Sequence, residues 1–144
     1  MATFVLFDEF IFNLGAGNID LDSHTFKAVL TNTAPTAATD DELADITQIT
    51  QQFGYLTGGV TLASVTWAET GAGTGIWQWS AADFSWTASG GTFGPFRYVP
   101  IYSDTSTGDK LVGYLDYGSS IEITDGNSFT VDIGSSGIFQ ASEA

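Results

Sequence analysis

The stretch "TFKAVLT" at 25–31 sets Phe26, Ala28 and Leu30 against Thr25, Lys27 and Thr31, and "SFTVDI" at 128–133 sets Phe129, Val131 and Ile133 against Ser128, Thr130 and Asp132. A period of two belongs to a β-strand with one wet face and suits no helix. Phe84 with Trp86, and Ile121 with Ile123, continue it. Turn-forming clusters at 32–36, 70–75, 89–94, 103–109 and 125–127 separate such runs. Short alternating runs at this spacing predict an all-β fold, an antiparallel β-sandwich of jelly-roll type with about eight strands. With 144 residues, 43% of them hydrophobic, the chain can fill the core of one such domain spanning 1–144. The expected core is Phe26, Leu30, Leu62, Trp67, Phe84, Trp86, Val99, Ile101, Leu115, Ile121, Ile123, Phe129, Val131 and Ile133.

Local signals add detail. Asp125-Gly126 between two alternating runs predicts a hairpin pairing 120–124 with 128–133. In "GVTLASVTW" the apolar set steps from Val60 and Leu62 to Val65 and Trp67, an odd shift that predicts a bulge at Ala63–Ser64. Residues 97–120 read as two strands around a polar turn. Pro100 within them lacks a ladder donor, which predicts a sheet edge or a local irregularity. "TDDELADI" at 39–46 has an acidic first turn and reads as a short helix or a polar loop. Residues 4–14 fit both periods, and a short helix is predicted there. Eight of the thirteen residues at 2–14 are Phe, Val, Leu or Ile, an apolar surface too large to leave uncovered on a soluble monomer. The segment 1–17 is therefore expected to dock, through Phe4, Phe7, Phe10, Ile11 and Phe12, on a neighbouring subunit or another protein. Folding back on the sandwich is the alternative.

Seventeen acidic residues against three basic ones give a net charge of −14, which repels nucleic acid and anionic membrane surfaces. Neither is expected as a partner. The N-terminus lacks a basic leader and is interrupted by Asp8 and Glu9, so neither a secretory signal nor a membrane span is expected. Without cysteine there is no disulfide, thiolate metal site or thiol nucleophile. His24 is the sole histidine, and no partners for a triad or a zinc site stand at readable spacing. The acidic stretches at 20–23, 39–45 and 103–109 lack the full EF-hand pattern, with Asp104 and Asp109 the first candidates should calcium bind. Glu69, Asp83, Asp116 and Glu122 fit the wet faces of strands as well as they fit a glycosidase pair. "GAGTG" at 71–75 lacks the Lys and helix of a phosphate cradle. No enzyme, cofactor or metal is predicted. Trp77 and Trp79, two apart in "IWQWS", share a strand face and form a candidate glycan platform, with core packing as the competing reading.

The ordered pieces "NIDLDSHTFKAVLTNTAPT", "ELADITQI", "GYLTGGVTL", "ADFSWTASGGTF" and "RYVPIYSDTSTGDKLVGYLDYGSS", spread over about 18–134, resemble a family of small structural proteins of tailed bacteriophages. Pro100 and "FGPFRY" depart from that family's pattern. The resemblance implies a virion component made in the host cytoplasm, a decoration (cement) protein on the outer surface of the head. Its implied partners are the major capsid protein and further copies of itself, a trimer being preferred. It implies no catalytic residue. A carbohydrate-binding module, or a head-fibre or tail-associated protein recognising the host through Trp77 and Trp79, is the competing function.

Overall fold

The computed structural model describes residues 3–143. Met1 and Ala2, at the start of the expected docking segment, and Ala144, in the expected domain, lie outside the described residues. The expected antiparallel β-sandwich is the architecture observed. Its first layer is a five-stranded sheet built on the long hairpin of β7 (Phe93–Ser103) and β8 (Leu111–Ile123). β1 (Thr3–Leu6) pairs with β8 on one side. β2 (Phe26–Ala28) and then β3 (Val60–Thr61) extend the other. The opposing layer is divided. One part is β10 (Phe139–Ser142), β5 (Ile76–Ser80) and β4 (Thr66–Glu69); the other is β6 (Phe84–Thr87) with β9 (Ser128–Val131).

Aromatic side chains join the layers. Phe26 meets Trp79 edge to face at 4.8 Å, and Phe96 meets Phe129 in the same way at 4.9 Å. Of the expected core, Phe26, Leu30, Leu62, Phe84, Trp86, Val99, Ile101 and Val131 are buried. Trp67, Leu115, Ile121, Ile123, Phe129 and Ile133 are half-buried against them. A second cluster of Phe7, Val29, Ile46, Tyr102 and Leu111 forms around the same strands. The run Val99–Ser103 of β7 is consequently buried at every position, so alternation is lost there.

"GYLTGG" owes its composition to a buried tyrosine. Tyr55 is fully buried; its hydroxyl donates to Gln48 Oε1 (2.7 Å) and accepts the Leu30 N–H (3.2 Å). The backbone around it runs so close to its neighbours that a Cβ on Gly59, at φ +75°, would lie 1.7 Å from the Ala28 carbonyl oxygen. Only glycine fits.

Several expectations are corrected. The turn at 124–127 forms, with Asn127 N–H bonding the Thr124 carbonyl at 3.0 Å, but the two runs it joins do not pair. Ile121 and Ile123 pair with Phe96 and Phe93 of β7, while β9 crosses to the other layer and pairs with β6, setting Trp86 opposite Phe129. Ser64, at φ +53°, marks no bulge within a strand: the chain there leaves β3 in one layer for β4 in the other. Pro100 lies in an interior strand, not at an edge, and the irregularity falls on its neighbour. Its carbonyl accepts Val29 N–H (2.9 Å), but it returns no donor, and β2 ends at Ala28. Of 39–46 only Leu43–Asp45 form a single 3-10 turn. Residues 3–14 combine both periods: β1 first, then helix α1 (Asp8–Gly15).

Candidate interaction cleft

The split in the second layer leaves a cleft of about 480 Å3 over the inner face of the first. Its floor is Val99 of β7, Leu115 and Tyr117 of β8 and Phe4 of β1, with the β8 pair two apart as a sheet face requires. Its wall is different. All six residues from Phe129 to Gly134 line it, so it runs along the edge of β9 and beyond, since a strand presenting one face would contribute alternate residues only. Gly137 and Ile138, leading into β10, close the other side.

The β9 edge is open. Ala88 N–H bonds the Asn127 carbonyl (2.9 Å), and Ile133 N–H bonds Asp83 Oδ1 (2.8 Å), so the odd-numbered residues direct their backbone toward β6. Alternation turns the N–H and C=O of Thr130 and Asp132 to the opposite edge. Among the described residues β6 is the only strand paired with β9.

A wide bulge shapes the floor. Tyr98 pairs with Asp116 but Phe96 pairs with Ile121, which leaves 117–120 of β8 without partners on β7. Gly118 takes φ +96° within the bulge. Asp116 anchors it by accepting Gly118 N–H (2.8 Å) and the Arg97 guanidinium. The Arg97 bonds come first, and with the Gly118 N–H they hold the Asp116 carboxyl below the usual carboxylate range. Tyr117, freed from the ladder, stands edge-on to Phe129 at 5.7 Å and is 48% exposed.

Electrostatically the chain is one-sided. All three Lys and Arg side chains are engaged with carboxylates: Lys27 with Asp104, Arg97 with Asp116, and Lys110 with Asp41 and Glu42. The remaining acidic groups have no Lys or Arg left to offset them, and Asp132 stands exposed at the cleft.

The residues singled out from the sequence separate. Phe7 and Phe10 belong to the protein's own core, at 0% and 1% exposure, and Phe4 is half-buried at the cleft, stacked on Phe139 at 6.1 Å. Only Ile11 and Phe12 of that set face solvent, on the outer side of α1. Trp79 is fully buried, so it cannot form a platform with Trp77. Trp77 is 42% exposed and stacks on Trp67 at 5.9 Å, which leaves it one free face. His24 Nδ1 lies 2.8 Å from Ser103 Oγ and accepts the Asp20 N–H, a tie between loop and strand. Asp20 caps its own turn, and its bonds with Ser23 and Asp22 lower its pKa. Asp104 pairs with Lys27, and Glu69 accepts Gly75 N–H. Among the described residues no three His, Asp or Glu groups converge to hold a metal, and no helix is long and apolar enough to cross a membrane.

The cleft itself escaped the sequence reading. "SFTVDIG" looks like any half-wet strand, and an empty second edge is a property of what fails to pair with it. No protein-family model, no curated protein and no solved structure matches the chain.

Proposed function

We propose that the chain is a non-enzymatic virion protein of a tailed phage, a decoration protein that docks on the outer surface of the head and reinforces it as a homo-oligomer. The ordered motif resemblance supplies the family. The observation that carries a docking role is the combination of a β-sandwich with an apolar cleft left open beside an unpaired strand edge. Such a surface is of the kind that accepts another protein chain. An exterior with every cation already paired suits a position facing solvent rather than packaged DNA. Many equivalent weak contacts on a symmetric shell then supply the binding strength through avidity.

Cryo-EM of intact virions of the phage encoding the chain tests this reading. Density for the domain on the outer face of the head, at three-fold positions, is expected. Density confined to the tail or collar, or absence from the purified virion, overturns it.

A further inference from the structure

We infer that the cleft between β9 and β10 is an acceptor site for one extended segment of a partner protein, which adds to the open edge of β9, lays alternate apolar side chains on the floor and carries lysine or arginine. This rests on the docking role proposed above and names the occupant. Three observations meet here. The Thr130 and Asp132 backbone groups face the cleft, and among the described residues no strand lies opposite them. The floor directly beneath that edge is apolar, formed by Phe4, Val99, Leu115 and Tyr117. An added strand places alternate residues on one face, so backbone bonding to the edge and side-chain burial on the floor are satisfied together.

Charge selects the occupant. The wall carries Asp132, Asp83 lies behind it on the backbone of Ile133, and the whole chain is at −14 with its cations already paired. A second copy entering the cleft would bring the same acidic balance against this wall, and like charges on neighbouring strands oppose pairing. A basic, alternating segment meets neither obstacle and is steered toward the site from a distance.

The test uses the full chain, isotope-labelled, with the blocked peptide KVTVRVTVK as probe and EVTVEVTVE as its charge-reversed control. Hydrogen exchange at the Thr130 and Asp132 amides should slow at least ten-fold on adding the basic peptide. The acidic peptide should bind at least ten-fold more weakly. Thr130→Pro removes a donor from the open edge and none from the β6 side, and it should weaken the basic peptide at least ten-fold. Asp132→Lys, which leaves the backbone intact, should narrow or invert the preference between the peptides. Basic-peptide binding that leaves both amides unprotected, no binding at millimolar peptide, or a charge preference unmoved by Asp132→Lys overturns the inference. Binding of Thr130→Pro and Asp132→Lys to phage heads separates this inference from the functional proposal. Heads decorated equally well by both variants sink the strand site and keep the decoration role, whereas protection by peptide with no affinity for heads keeps the strand site and sinks the role.

Discussion

Arg97 and Asp116 meet as a two-pronged ion pair, Nε to Oδ1 at 2.8 Å and Nη2 to Oδ2 at 3.0 Å, at the point where β8 parts from β7. The planar guanidinium fixes both carboxylate oxygens at once, which a lysine could not do. The same carboxylate turns the chain at Gly118 and so aims Tyr117 at the cleft. One acidic residue thus joins the geometry of the hairpin to that of the proposed site.

Acid should reveal this link. The Asp116 carboxyl is held below its ordinary value of 3.8 by Arg97 and the Gly118 N–H, so its contribution to stability is present above that pH and is lost as pH falls through the lowered value. Asp116→Asn should therefore melt below the wild type at pH 6, and the gap should close as pH drops below 3.8. Melting temperatures of both proteins across that range check this, and a gap independent of pH would remove the ion pair from the account.

Alkali should act through two tyrosines. Burial pushes the Tyr55 and Tyr102 hydroxyls up to about 12 from an ordinary 10. Because the folded value is the higher one, the stabilisation is complete below pH 10 and disappears as pH rises toward 12. Ultraviolet titration should show these two ionising late, together with loss of the near-ultraviolet circular dichroism of the fold. Early ionisation of all five tyrosines in a folded chain would contradict it.

Trp77 and Trp79 share a strand face but should differ sharply on truncation. Trp79→Ala empties a fully buried site and should cost about 3–5 kcal/mol by urea denaturation. Trp79→Phe should cost less, because it also removes a buried Nε1–H that finds no acceptor among the described residues. Trp77→Ala, at the exposed end, should cost under about 1 kcal/mol. Tryptophan emission should stay unchanged on adding glycans, since Trp79 is fully buried and the two rings form no shared platform.

The N-terminal segment should prove structural for the most part. Deleting residues 2–14 removes β1 from the five-stranded sheet together with Phe7 and Phe10, and the chain should fail to fold. Phe10→Ala should cost about 3–5 kcal/mol, while Phe12→Ala should stay within about 0.5 kcal/mol. A truncated chain that keeps its near-ultraviolet circular dichroism would restore the docking arm.

What could be read from the sequence follows the range of the forces involved. Alternation at 26–28 and 129–133 reports local burial, and the strands were legible from it, whereas Val29 and Thr31, on the face expected to be wet, are fully buried. The Asp125-Gly126 turn was legible for the same reason, since its geometry is set within four residues. The partner of the strand beyond it was not. Phe129 lies against Trp86 and Phe96, residues distant in sequence, and that choice is made by packing the layers. Pro100 shows the limit from the other side: the missing donor was readable, but the strand that does without it is named only by the fold. Trp77 and Trp79 were legible as neighbours on one face, yet their exposures differ because Phe26 and Phe139 cover only the second.

The pairing of β1 with β8, and of β10 with β5, has a temporal consequence. Thr3–Leu6 leave the ribosome more than a hundred residues before Gly113–Asp116, their only ladder partners among the described residues, and the second edge of Ile76–Ser80, paired on its first with Thr66–Glu69, must wait for Phe139–Ser142. The first layer cannot close before Ile123 has emerged, nor the second before Ser142. Folding of this domain must then begin with most of its strands already made, with long loops to close at once, and such topologies take on the order of milliseconds to seconds. Until then β1 and the apolar α1 that follows it emerge unpaired, and it is the nascent chain, rather than the finished domain, that has most need of protection from aggregation.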